Sequence, residues 1–220
     1  MKAMSMSSIW LRAHRSVADF IENRRGNSAV EFAVIVPIML VMFFGTIEFS
    51  SGVAVDRKMS LVARTLSDVT SQSTVQPVTD SYIQNVFTAS MSILYPYSPT
   101  PTTATVSQIY VDTTGKATIQ WSMAATIASS VATQATLVAS NRHPNDVVTS
   151  IVPPQLLVKQ TYLIFSEASY LYTPAVGYVM KAAITLQDSA YSRPRQFTCL
   201  TYPTASAIPV ITPPSTCPTP

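Results

Sequence analysis

Charge vanishes from the chain between Glu31 and Glu48, where the 16 residues from Phe32 to Ile47 contain no ionisable side chain. Seventeen helical steps separate the two glutamates, about 26 Å at 1.5 Å per residue, close to the ~30 Å hydrocarbon core of a bilayer. The pattern predicts a membrane-spanning helix. A secretory signal fits less well, because its apolar core is shorter and should end in a small-x-small cleavage site. Pro37 lies inside the run and is expected to kink the helix or free one hydrogen bond, which membrane helices tolerate. Glu31 reads as part of the first turn, and a carboxylate carried to the bilayer centre costs about 2.5 to 3.5 kcal/mol on insertion scales. Something must offset that cost.

Beyond the run the period stays helical. Val55, Met59, Val62, Leu66 and Val69 recur at steps of four, three, four and three, while Asp56, Arg57, Lys58, Arg64 and Asp68 fall mostly on other faces. One helix of some 40 residues is expected. Its outer half carries an apolar stripe that the rest of the chain, or another subunit, must cover. Before the run, residues 9–21 read as a short amphipathic helix on the cytoplasmic leaflet, with Ile9, Trp10, Val17, Phe20 and Ile21 as apolar contacts.

From about Ser73 the texture changes to Thr, Ser, Pro and β-branched residues. The proline-dense stretch 95–103 reads as a loop. Thr105 to Val111 and Ala117 to Met123 flank Asp-Thr-Thr-Gly-Lys and read as a hairpin with Gly115 at the positive-φ position. Residues 124–140 fit either a polar helix or an irregular stretch, and 141–146 a loop. Gln155 to Tyr172 alternates as a strand should, and Ala182 to Tyr191 is its expected partner across a turn near Pro174 to Gly177. The tail from Pro203 is too rich in proline for a sheet interior. The expected fold class is α+β: a long N-terminal transmembrane helix extended into a small antiparallel β-sheet head.

Composition sharpens this picture. The chain of 220 residues is 47% hydrophobic and 11% charged, against roughly 25% charged in ordinary soluble domains, so it is built for a membrane or for burial against neighbours. The formal net charge of +3 resides in residues 1–26, where Lys2, Arg12, Arg15, Arg24 and Arg25 face Asp19 and Glu22; the remainder holds nine basic and nine acidic side chains. No basic face for nucleic acid is left. Basic residues ahead of the apolar run place the N-terminus in the cytoplasm and the bulk of the chain outside the inner membrane. In an exported domain Cys199 and Cys217 read as a disulfide closing a loop of about 18 residues, worth about 3 kcal/mol; two free thiols are the alternative.

Catalytic chemistry finds little support. The two histidines are His14, in the leader, and His143, beside a proline with no flanking nucleophile motif. The five glycines, at 26, 45, 52, 115 and 177, lie too far apart for a phosphate cradle. Zinc-ligand spacing and paired carboxylates are not visible, and no cofactor or small-molecule substrate is expected. Tyr162, Phe165, Tyr170, Tyr172 and Tyr178 read as strand packing rather than a sugar platform.

The stretch from Arg24 to Ser50 resembles the N-terminal signature of the TadE-like proteins of the tight-adherence (Flp) pilus system, minor pilins or pseudopilins of the type IV filament superfamily. Its matching features are the basic residues before Gly26, the small residues Ser28 and Ala29, Val30-Glu31-Phe32-Ala33, Pro37, and Gly45 followed by Ile47-Glu48-Phe49. A weaker echo lies in Tyr170 to Pro174 and Ser192 to Arg195. The resemblance implies that a prepilin peptidase, an aspartic membrane protease, cleaves between Gly26 and Asn27, making Glu31 the fifth residue of the mature chain. There it would neutralise the new α-amino group of a neighbouring helix, with Phe32 and Pro37 in the subunit contact. The implied partners are the inner membrane, the peptidase, other Tad pilins and minor pilins, and assembly-platform proteins. A head of this size is far too bulky for the main Flp pilin, so a minor role follows.

The expected organisation is a basic leader (1–26), a transmembrane helix (27–49), its amphipathic extension (50–72), a β-rich extracytoplasmic domain (73–198) and a Pro/Thr-rich, disulfide-closed tail (199–220). Two other readings remain. One is an uncleaved envelope adhesin or binding module, in which Glu31 snorkels toward headgroups beside Arg24 or Arg25. The other is an anchored periplasmic enzyme, which needs His143 in a pocket among polar groups.

Overall fold

The apolar run and the amphipathic stripe form a single helix, α1 (Asn27–Ser71), of 45 residues. The computed structural model describes residues 27–127, 134–174 and 182–202. The leader with its expected 9–21 helix, the expected turn after Pro174, the tail from Pro203 and Cys217 all lie outside the described residues. Pro37 sits inside α1 without ending it; its missing N–H leaves the Ala33 carbonyl without the usual helical donor. The carbonyls orphaned at the far end find other donors: Val69 accepts from the Tyr82 hydroxyl at 3.1 Å, Thr70 from the Ser73 amide at 3.2 Å and Ser71 from the Arg195 amide at 2.9 Å.

A second helix, α2 (Asp80–Met91), was not anticipated from the Ser/Thr-rich texture of this region. Thr79 caps it, its hydroxyl accepting from the Tyr82 amide at 3.3 Å. Ile83, Val86, Phe87 and Met91 form its buried face.

Five strands follow, β1 (Thr102–Val111), β2 (Ala117–Thr126), β3 (Thr136–Val138), β4 (Thr161–Tyr172) and β5 (Ile184–Ser192). They form one sheet in the order β3-β2-β1-β4-β5, every neighbouring pair antiparallel. The β1–β2 hairpin closes as expected through Gly115, whose φ is 91°, with Asp112 Oδ1 accepting from the Thr114 and Lys116 amides at 2.8 and 2.9 Å.

Three expectations need correction. The strand expected from Gln155 begins only at Thr161, because Pro154–Leu156 forms a 3-10 turn and Gln160 adopts φ 58°, a left-handed conformation that breaks extension. Within the stretch expected at 124–140 as polar helix or irregular chain, residues up to Thr126 end β2 and Thr136–Val138 form the short β3, while 128–133 lie outside the described residues. Glu31, expected in the first turn of the helix, is the fifth residue of α1 and stands just past that turn.

Alternation along the strands gives the sheet two buried faces. On one, Ala104, Val106, Trp121, Met123, Ile164, Ala168 and Tyr170 pack with Val55, Met59, Val62, Ala63 and Leu66 of α1 and the buried face of α2. The stripe on α1 is therefore covered by the chain's own sheet. On the other, Ile109, Ile119, Leu163 and Phe165 pack under Val148 and Val152 of the long β3–β4 connection.

Candidate functional site: the exposed half of the helix and its junction with the head

The first half of α1 carries apolar side chains on every side, and its most apolar window is left uncovered by the head. Val30, Phe32, Val34, Ile38, Met39, Val41, Met42 and Phe43 are all exposed, and within this helix the most apolar 18-residue window has mean hydropathy 2.3 with none of it buried. A helix that is hydrophobic all round needs a membrane or other helices around it. By length and composition this one can cross a bilayer. Thr46 returns its hydroxyl to the Met42 carbonyl at 2.8 Å, satisfying the polar group within the helix.

The residues expected to matter for processing and packing fall at its start. Gly26 lies outside the described residues, and Asn27 opens α1. Glu31, Phe32 and Pro37 are exposed, within the segment that the head leaves bare. They share the open surface of one helix rather than a pocket.

At the other end of the apolar run, α1 enters the head without a linker. Glu48 is 2% exposed, buried where the apolar run meets the head. The Tyr172 hydroxyl donates to the Glu48 carbonyl at 3.4 Å, and its ring lies 3.6 Å from the point where a Cβ on Gly52 would stand. Burial, followed by the charge of Glu48 and the nearby Tyr97, pushes the Tyr172 phenol up. Higher along the helix Lys58 donates to the Ile93 and Tyr95 carbonyls, each at 2.8 Å, and the Ser166 hydroxyl to the Ala63 carbonyl at 2.6 Å. Asp68 pairs with Arg195.

The head's own cavity is a polar groove of about 750 Å³ on the sheet face away from α1, lined by Thr103, Thr105, Asn141, Arg142, Glu167, Ser169, Gln187 and Ser189 among others. Arg142 forms its charged wall, with Nε 2.9 Å and Nη2 2.5 Å from the two Glu167 oxygens, and lies over the Phe165 ring at 5.6 Å. That pairing raises the Arg142 pKa further. Sequence reasoning missed this groove, since its hydroxyls come from three separate strands and no motif connects them. His143 does not line it. Its Nδ1 is 3.6 Å from Asp146 Oδ2 in an exposed turn, so the arrangement required by the enzyme reading is not present at this residue. Among the described residues no group of three or more His, Cys, Asp or Glu is placed to hold a metal ion.

Cys199 is buried in a strap under the sheet. Its carbonyl accepts from Gln76 Nε2 at 2.9 Å, and the adjoining Leu200 is held at both ends, its amide donating to Gln108 Oε1 at 2.6 Å and its carbonyl accepting from Trp121 Nε1 at 2.8 Å. No free cysteine occurs among the described residues.

No curated protein and no solved structure matches the chain. Residues 26–66, from the expected processing glycine to the last fully buried leucine of the stripe, match the family model described as TadE-like protein, so that this segment is similar to the TadE-like family.

Proposed function

We propose that the chain is a minor pilin-like or pseudopilin-like component of the Tad pilus machinery, anchored in the bacterial inner membrane by α1 with its head in the periplasm. It works by packing. A prepilin peptidase removes residues 1–26, and Glu31 then meets the new terminal amine of a neighbouring helix, where opposite charges in a low dielectric compensate the desolvation each suffers alone. Phe32 and Pro37 join the same helix contact. Other Tad pilins and platform proteins are its partners, and a Cys199–Cys217 disulfide fastens its tail. The observation carrying this reading is the coincidence of a TadE-like segment beginning at Gly26 with a helix half that is apolar on all sides and bare.

Intact-mass and N-terminal analysis of membrane-extracted protein tests it. In cells with an active prepilin peptidase the chain should begin at Asn27 and be lighter by about 3 kDa, the share of 26 residues in 23.9 kDa over 220; a chain still beginning at Met1 refutes the processing. The polar groove favours one second reading, an uncleaved envelope binding module, which the same measurement separates.

A further inference from the structure

The rim of the sheet nearest the apolar run carries exposed apolar side chains at a level set by α1 itself. Tyr172 ties the end of β4 to the helix between Glu48 and Gly52, and Ile184 at the start of β5 pairs directly with Tyr172. Leu171 precedes Tyr172 and faces the opposite side of the sheet, its amide donating to the Pro101 carbonyl at 3.4 Å. Leu171 and Ile184 are 41% and 42% exposed. Farther from this rim the same sheet face turns polar, with Ser169, Glu167, Gln187 and Ser189 lining the groove. Val147, Ile151 and Val158 are exposed at the opposite end of the sheet, so it is position beside the apolar run that sets Leu171 and Ile184 apart.

Helix geometry fixes where that end stands. From Glu31 to Gly52 there are 21 steps, about 32 Å at 1.5 Å per residue, which is the thickness of the ~30 Å hydrocarbon core. With Glu31 at the inner boundary, Gly52 arrives at the outer one, and Tyr172, Leu171 and Ile184 arrive with it. No flexible spacer lifts the head away, since α1 is unbroken from the apolar run into the core of the sheet.

We propose that this rim is a lipid-binding surface: Leu171 and Ile184, together with the exposed Phe49 of α1, insert at the boundary between phospholipid headgroups and acyl chains, so that the head is seated on the outer leaflet. The proposal rests on the reading that α1 spans the membrane. The partner is the phospholipid surface. Apolar contact supplies the attraction, and the buried Tyr172 fixes the rim to the helix.

Three single tryptophan substitutions in the full chain, reconstituted in phosphatidylcholine vesicles whose acyl chains are brominated near the headgroup, test it. Met39→Trp reports the span, Ile184→Trp the rim and Val158→Trp the far end. Val158 is exposed and precedes Thr161, which lies 11 residues of strand from Tyr172, about 36 Å away at 3.3 Å per residue. Relative to the parent chain, the fluorescence added at 39 and 184 should be lost to the bromines and that added at 158 retained. Loss at 39 with full emission at 184 overturns the seated head while leaving the span intact. Full emission at both 39 and 184 overturns the membrane reading itself. Loss at all three positions also refutes the proposal, because the head then has no defined level.

Discussion

Replacing Leu66 by alanine tests whether the stripe on α1 belongs to the head or to a neighbouring molecule. Leu66 is fully buried, whereas Leu61 on the same helix is 50% exposed. A buried leucine cut to alanine loses its transfer free energy and leaves a cavity, together about 3 to 5 kcal/mol; at an exposed site the change stays within about 0.5 kcal/mol. With a urea slope of about 2 kcal/mol per molar, Leu66→Ala should lower the unfolding midpoint by about 1.5 M or more, and Leu61→Ala by almost nothing. The assay is urea unfolding of the full chain in detergent micelles, followed by tryptophan emission. Trp121 is 2% exposed and tied to Leu200, so it reports loss of the head. Equal shifts for the two leucines, or an unmoved midpoint for Leu66→Ala, would refute the assignment of the stripe to the chain's own core.

Burial, with Tyr110 beside it at 4.8 Å, pushes the Tyr162 phenol up to about 12, and burial raises those of Tyr170 and Tyr191 as well. The fold holds these phenols neutral, so this contribution is complete below about pH 10, the ordinary tyrosine value, and is lost as pH rises toward 12; phenolate absorbance and circular dichroism should change together in that interval. Gly115→Ala meets no atom within 4 Å, so its cost comes from φ alone and should be about 1 kcal/mol, read as a lower thermal midpoint. The Arg142–Glu167 pair has side chains 27% and 34% exposed, and a double-mutant cycle with Arg142→Met and Glu167→Gln should return a coupling of about 1 kcal/mol or less, weakening with salt.

Periodicity made the anchor and its stripe legible, because each is repeated many times over. Val55, Met59, Val62 and Leu66 are all fully buried, and the pattern left open only whether the chain or another subunit covered them. The hairpin around Gly115 was equally plain, since its turn needs a residue that tolerates positive φ. α2 was hidden by its composition: Thr79, Ser81, Thr88 and Ser90 look like loop, yet Thr79 is the cap and Ser90 returns its hydroxyl to the Val86 carbonyl at 2.8 Å. The apolar set Ile83, Val86, Phe87 and Met91 was the available signal. At the start of β4 the alternating pattern ran past the true boundary, because Leu156 and Leu157 are drawn onto the second core from a turn rather than a strand. The groove was illegible in principle, as its walls meet only after the strand order is set. Gly26, Asn27, Glu31, Phe32 and Pro37 were singled out by motif and spacing, and their roles depend on molecules beyond this chain.

The unbroken passage of α1 from its bare half into the sheet makes the molecule a rigid lever. Tilt or rotation imposed on the bare half beyond Pro37 is delivered as torque to the side chains around Met59 and Leu66, with no loop between to absorb it. A pull on the anchor therefore loads the best-packed part of the head first, and the mechanical strength of the whole is set by the grip of the sheet on four turns of helix.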